Sequence, residues 1–209
     1  MPDVLEVAHP LVAHRLGVLR DAETPNATFR AALAELSLLL VYEATRTLHA
    51  DAVSVRTPLA DAPALRVNRP PMLVPVLRAG LGMLNGALQL LPDAPVGFVG
   101  LKRDESTLRP DSYVTAIPED LRRADVLVLD PMLATGGSLV YTLELLRDAN
   151  AGRMTVVCVL AAPEGLRHVD ECGFGEVTVV TGSVDSHLNE IGYIVPGLGD
   201  AGDRQFGAY

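Results

Sequence analysis

Apolar residues along this chain form two kinds of pattern. Short, predominantly apolar runs occupy residues 72–77, 96–101, 126–129, 154–161 and 177–181. Runs of this kind, bounded by polar residues, predict strands buried on both faces. Between them apolar residues recur at spacings of three and four, which predicts amphipathic helices. One covers 9–20, with Pro10 at its start. A longer one covers 28–48, where Phe29, Leu33, Leu36, Leu40 and Ala44 make the stripe. Leu38, Leu39 and Val41 widen that stripe, which fits either a central core helix or burial against another subunit. Further helices are expected from the glycines after Arg78 to about Leu91, from Ser138 through Leu139, Leu143 and Leu146, and over 163–171. Strands alternating with helices predict right-handed crossovers and a mostly parallel twisted sheet flanked by helices, an α/β fold. Ligands bind such sheets at the carboxyl ends of strands.

Three stretches escape this rhythm. Residues 53–69 have two β-like ends around a Pro-containing middle and read as an antiparallel arm. Residues 102–118 are polar with little periodicity and read as a long loop. Residues 182–209 carry five glycines between Gly192 and Gly207 and no regular period. Ile191, Tyr193, Ile194, Val195, Leu198 and Phe206 nonetheless argue that this tail packs.

The most informative stretch is 126–147: an apolar strand, Asp130, a turn containing Gly136 and Gly137, then a helix that Ser138 can cap. A tight turn into a helix start aims several N–H groups at one point, and the helix dipole favours an anion there. With no Lys in the turn, the backbone must do the binding, which excludes the triphosphate-binding loop. The dinucleotide fingerprint is excluded too, because there the acid follows the glycines. A carboxylate beside a phosphate would repel it, so Asp130 should face groups that donate hydrogen bonds. A ribose 5-phosphate satisfies both demands, with phosphate in the turn and diol on the acid.

Composition narrows the choice. The 209 residues suit one domain, with an apolar fraction of 49% and no run long enough to span a membrane. The opening residues lack the blocks of a signal peptide, so a cytoplasmic address is expected. A net charge of −9 opposes nucleic-acid binding. Neither the two cysteines nor the five histidines have metal-ligand spacing; Cys158 reads as a small core residue.

The string Asp130-Pro131-Met132-Leu133-Ala134-Thr135-Gly136-Gly137-Ser138 resembles the phosphoribosyl-diphosphate motif of the type I phosphoribosyltransferases, with Pro131 where most members carry a second acid. Val74-Pro75-Val76-Leu77-Arg78-Ala79-Gly80-Leu81-Gly82-Met83 resembles the family's diphosphate loop, often built around a cis non-proline peptide. Residues 102–118 resemble its mobile catalytic loop, with Arg103 at the diphosphate-contacting position. Gly192 to Asp203 resembles the uracil-binding hood of the uracil phosphoribosyltransferases, and 53–69 matches the family's subunit-crossing arm. The resemblance implies a single domain, with a core over about 70–182 and the hood and arm supplied by 1–69 and 183–209. It implies that Arg78, Arg103, residues 130–138 and Asp200 bind phosphoribosyl diphosphate. Ile194, Gly199, Asp200 and Ala201 would bind uracil, and Asp130, Arg103 and Asp200 would be catalytic. It implies Mg2+ held mainly by the substrate rather than by side chains, a homodimer or larger homo-oligomer, and GTP as a candidate activator. Main-chain groups suit uracil, whose two carbonyls flank an N–H; cytosine would leave buried groups unpaired. Competing readings are a phosphoribosyltransferase for another base, a pyrimidine-responsive RNA-binding regulator and a catalytically silent binding protein. The hood string opposes the first. The acidic balance opposes the second. The joint presence of Asp130, Thr135, Arg78 and Arg103 opposes the third.

Overall fold

The computed structural model describes residues 2–103 and 110–207. In chain order its elements are β1 (Asp3–Glu6), α1 (Pro10–Arg20), α2 (Asn26–Ala44), β2 (Asp51–Arg56), β3 (Asp61–Arg66) and β4 (Met72–Leu77). There follow α3 (Leu81–Leu90), β5 (Phe98–Arg103), β6 (Pro110–Ala116), β7 (Val126–Leu129), β8 (Met132–Leu133) and α4 (Gly137–Asp148). The chain ends with β9 (Met154–Ala161), α5 (Pro163–Glu171), β10 (Val177–Val184), β11 (His187–Leu188), β12 (Ile194–Val195) and α6 (Ala201–Phe206).

The sheet runs β1-β10-β9-β7-β4-β5-β6, with β8 also paired to β9. Every pairing is parallel except β5 with β6. Its central strands keep no exposed side chain because both faces are covered. Alternation assigns the faces: Leu127 and Leu129 pack with α1, α2 and α3, whereas Val126 and Val128 pack with α4 and α5. Cys158 lies buried in the second layer, and burial pushes its thiol up to about 12, so it stays protonated. None of the described helices is long and apolar enough to cross a membrane.

Four expectations need correction. The sheet extends beyond 70–182, because β1 pairs in parallel with β10 at one edge. Much of the expected 102–118 loop is strand: β6 returns antiparallel to β5, with Tyr113 laid over Gly100, where an added Cβ would sit 2.7 Å from the ring. Ser138 does not cap α4. The helix begins at Gly137, so Ser138 is inside its first turn, and the cap position is held by left-handed Gly136 without a side-chain bond. The tail is not irregular throughout, since β11 pairs with β12 and α6 follows. Its packing comes from Ile194 and Leu198, while Ile191 and Tyr193 stay exposed. The 53–69 arm is a hairpin of β2 and β3, in register from Asp51 opposite Arg66 to Arg56 opposite Asp61.

Candidate active site

Strands β4 and β7 are neighbours, with Pro75 opposite Leu129, so their carboxyl ends finish side by side. Beyond β4 the chain folds back at once. Gly80 N–H donates to Val76 O at 2.8 Å, and Leu81 N–H to Arg78 O at 3.1 Å. A Cβ on Gly80 would lie 2.3 Å from Leu129 O, so only glycine lets this loop rest on the end of β7. The Leu77–Arg78 peptide is cis, as the family resemblance implies. Arg78 is half-exposed, with its guanidinium 3.9 Å from the Asp203 carboxylate of α6.

Asp130 follows β7 and lies at the floor of the cleft. Burial raises its carboxyl to about 7, against the opposing pull of the Met132 N–H, which donates to Oδ1 at 3.3 Å. The turn after it is half pinned and half open. Pro131 O accepts from Val159 and Leu160 N–H, and Leu133 O accepts from Ala162 N–H, which ties the first half to β9. The second half runs into α4 through Gly136, whose φ of +83° is the left-handed conformation that side chains resist. Helix geometry leaves the N–H groups of Gly137, Ser138 and Leu139 without helical acceptors. No backbone carbonyl among the described residues accepts from Thr135 or Gly136. The result is a run of donors at a helix start, around a cleft of about 230 Å³ lined by Arg78, Asp130 and Met132 to Leu139.

A second cleft, of about 300 Å³, adjoins it. Ala79, Met132 and Ala134 line both. The far wall of the second is the C-terminal segment: Tyr193, Ile194, Gly199, Asp200 and Ala201. Asp200 caps α6, accepting from Asp203 N–H at 2.8 Å. Ala201 and Gly202 open that helix, so their N–H groups lack helical acceptors.

Polar anchors from α1 hold this wall. Arg20 grips Asp185 through two bonds of 2.6 and 2.7 Å and also donates to Gly197 O at 2.8 Å. Gly197 N–H donates back to Asp185 at 2.9 Å. Burial works against the ionised Asp185, but the bonds from Arg20 and Gly197 outweigh it and hold its carboxyl below the ordinary range. Arg204 stacks over Phe29 at 4.6 Å and donates to Leu19 O and Leu198 O. Buried Gln205 donates to Ala79 O at 2.9 Å and Ala201 O at 2.7 Å, joining the walls of the two clefts from behind.

Of the residues singled out in the sequence, Arg78, Asp130 and Met132 to Ser138 meet in the first cleft, and Ile194, Gly199, Asp200 and Ala201 in the second. Pro131 faces β9 through its carbonyl. The Arg103 side chain and residues 104–109 lie outside the described residues. Asp203, Gln205, Arg20 and Asp185 were not picked out. Asp203 closes the hood string Gly192 to Asp203, while the other three act across long sequence separations that leave no local signal.

A parallel sheet with a diphosphate-type loop on one strand end and an acid–glycine turn on the next defines a type I phosphoribosyltransferase. The purine phosphoribosyltransferase of Pyrococcus horikoshii shares that fold, with a TM-score of 0.50 at 16% identity over 76% of this chain and 89% of that one. Much nearer is the AQ2163 protein of Aquifex aeolicus, with a TM-score of 0.91 at 42% identity and 98% of each chain covered. The sequence profile "Uracil phosphoribosyltransferase" matches residues 6–208. The uracil phosphoribosyltransferase of Streptomyces avermitilis is 54% identical, covering 97% of each chain. That of Leifsonia xyli is 51% identical, covering 95% of this chain and 96% of its own. The chain belongs to the uracil phosphoribosyltransferase family.

Proposed function

We propose that this chain transfers the 5-phosphoribosyl group of phosphoribosyl diphosphate to N1 of uracil, giving uridine monophosphate and diphosphate. The observation that carries this reading is the shared wall of the two clefts, which makes a phosphate-and-sugar site continuous with a backbone-lined base site. In this reading the open N–H groups of the 135–139 turn hold the 5′-phosphate. Asp130 takes the ribose diol, and its ionised form places negative charge near the cation that develops at C1′. The N1–C1′ bond forms as the bond from C1′ to the diphosphate oxygen breaks on the opposite face, so the configuration inverts and the N1 proton passes to solvent. Arg78, Arg103 and Asp200 border or contact the sugar-diphosphate, while the main chain at Ile194, Gly199 and Ala201 reads the base.

Magnesium fits this donor set. The described residues hold no cluster of three or more metal-ligating side chains, and the two clefts offer one carboxylate each, Asp130 in the first and Asp200 in the second. Such a site suits an ion that arrives on the diphosphate and keeps its waters. When bound, it would offset charge on the leaving group.

The hairpin β2–β3 supports a homodimer, because Leu59 and Leu65 are 93% and 75% exposed at a place where a second copy would cover them. Activation by GTP, carried by family likeness, belongs to the same proposal, as does the cytoplasmic address expected from the sequence.

The test is direct: labelled uracil, phosphoribosyl diphosphate and magnesium should yield labelled uridine monophosphate. Hypoxanthine or orotate in place of uracil should give no nucleotide. Turnover of either in preference to uracil refutes the base assignment. GTP added to the same assay, and light scattering of the pure protein, test the effector and the assembly.

A further inference from the structure

Helix α5 packs directly against the back of the acid–glycine turn. A Cβ on Gly165 would lie 2.4 Å from Ala134 O, so the first turn of α5 touches the loop backbone. One turn later, and on the same side, stands His168. Its Nδ1 lies 2.8 Å from Thr135 O. A carbonyl can only accept, so Nδ1 carries the proton and donates. The Thr135–Gly136 peptide is not among the cis bonds, so its C=O and N–H point in opposite directions. Holding the carbonyl against α5 therefore aims the Gly136 N–H the other way, into the cleft lined by Asp130 and Thr135. Gly136 restrains its side of that peptide plane poorly, because glycine allows many backbone angles. The bond from His168 adds restraint from outside the turn.

We infer that His168 is a positioning residue for the phosphate turn: its Nδ1–H locks the Thr135–Gly136 peptide so that Gly136 N–H is presented to the 5′-phosphate. The inference rests on the reading of this turn as the phosphate site. It does not involve the diphosphate loop or the base wall, and that separation makes it testable.

The probes are ribose 5-phosphate and inorganic diphosphate, each titrated calorimetrically into the full-length protein with magnesium present. His168→Leu removes the donor. Asn sets an amide nitrogen close to where Nδ1 stands, whereas Gln sets one near Nε2. We expect His168→Leu and His168→Gln to weaken ribose 5-phosphate binding about five- to tenfold, the worth of one ordinary hydrogen bond. Diphosphate affinity should not change, and His168→Asn should restore the wild-type value. Thermal unfolding checks that each variant folds, and the half-exposed position of His168 favours that. Unchanged ribose 5-phosphate binding in His168→Leu overturns the role. So does equal weakening for diphosphate, or an Asn variant no better than Gln. If the wild type fails to hold ribose 5-phosphate in competition with phosphoribosyl diphosphate, the phosphate reading itself falls and takes this role with it.

Discussion

Replacing Asp130 with Asn separates what this carboxylate does for function from what it costs the fold. Burial moves its carboxyl from the ordinary 3.8 to about 7, so the folded chain holds that proton more tightly than the unfolded chain does. Below about pH 4 both states are protonated and the group costs nothing. Between about pH 4 and 7 the unfolded state ionises first, so stability falls as pH rises. Above 7 the full cost is present. Three powers of ten in proton affinity, at about 1.4 kcal/mol each, set a ceiling of about 4 kcal/mol. The residue borders an open cleft, so water screens part of this, and we expect about 2–4 kcal/mol. Asn keeps the oxygen that accepts from Met132 N–H and drops the charge. In urea unfolding without ligand, Asp130→Asn should therefore be more stable than wild type by that amount at about pH 8 and indistinguishable near pH 4. Its turnover should fall by roughly a hundredfold or more, because it no longer offers charge to the transition state. The rise of wild-type kcat/KM for phosphoribosyl diphosphate on the acid side of pH 7 should vanish with it. A variant no more stable at pH 8, or one whose gain is the same at every pH, would refute the reasoning.

Other substitutions test other parts of the site. Gly136→Ala meets both the left-handed backbone, at about 1–2 kcal/mol, and the wall of α5, where Gly165 O would be 3.1 Å away. It should lower the unfolding temperature and weaken ribose 5-phosphate, measured by the same calorimetry, with diphosphate unaffected. Arg78→Lys exchanges a planar fork for a point charge, and phosphoribosyl diphosphate affinity should drop about tenfold by equilibrium titration. Arg20→Met leaves Asp185, with its side chain 3% exposed, without its charged partner, which should cost about 3–5 kcal/mol in urea unfolding. Steady-state kinetics on that variant should show the KM for uracil rising more than the KM for phosphoribosyl diphosphate, because Arg20 anchors only the base wall.

The central strands and the main helices are legible because burial on both faces writes an unmistakable pattern. Met72–Leu77 and Val126–Leu129 are apolar throughout and Met154–Ala161 is broken only by Thr155, and they are the strands between which the site opens. The edge strands are not legible for the complementary reason. Residues 3–6 of β1 are mostly exposed, and β6 mixes Ser112, Tyr113 and Thr115 on a sheet margin that asks for no apolar run. α6 is too short for periodicity to show. Ser138 misleads because a hydroxyl next to a helix start looks like a cap whenever the start is placed one residue late.

The same contrast divides the site itself. The phosphate turn can be read from a dozen neighbouring residues because its donors are main-chain groups, and the glycines that allow the chain to turn there stand in the string itself. The base wall is also largely main chain, yet its position is set by side chains far away in sequence. Arg20 and Asp185 are 165 positions apart, and Arg204 and Leu19 are 185 apart. A local string can thus announce a hood without fixing where it sits over the sugar. That position decides whether N1 of a base meets C1′, and misplacement by about 1 Å is enough to cost a hundredfold in rate. Changes in α1, remote from any reacting atom, should therefore act on the base half-reaction and spare the phosphate half, whereas changes in α5 should do the reverse.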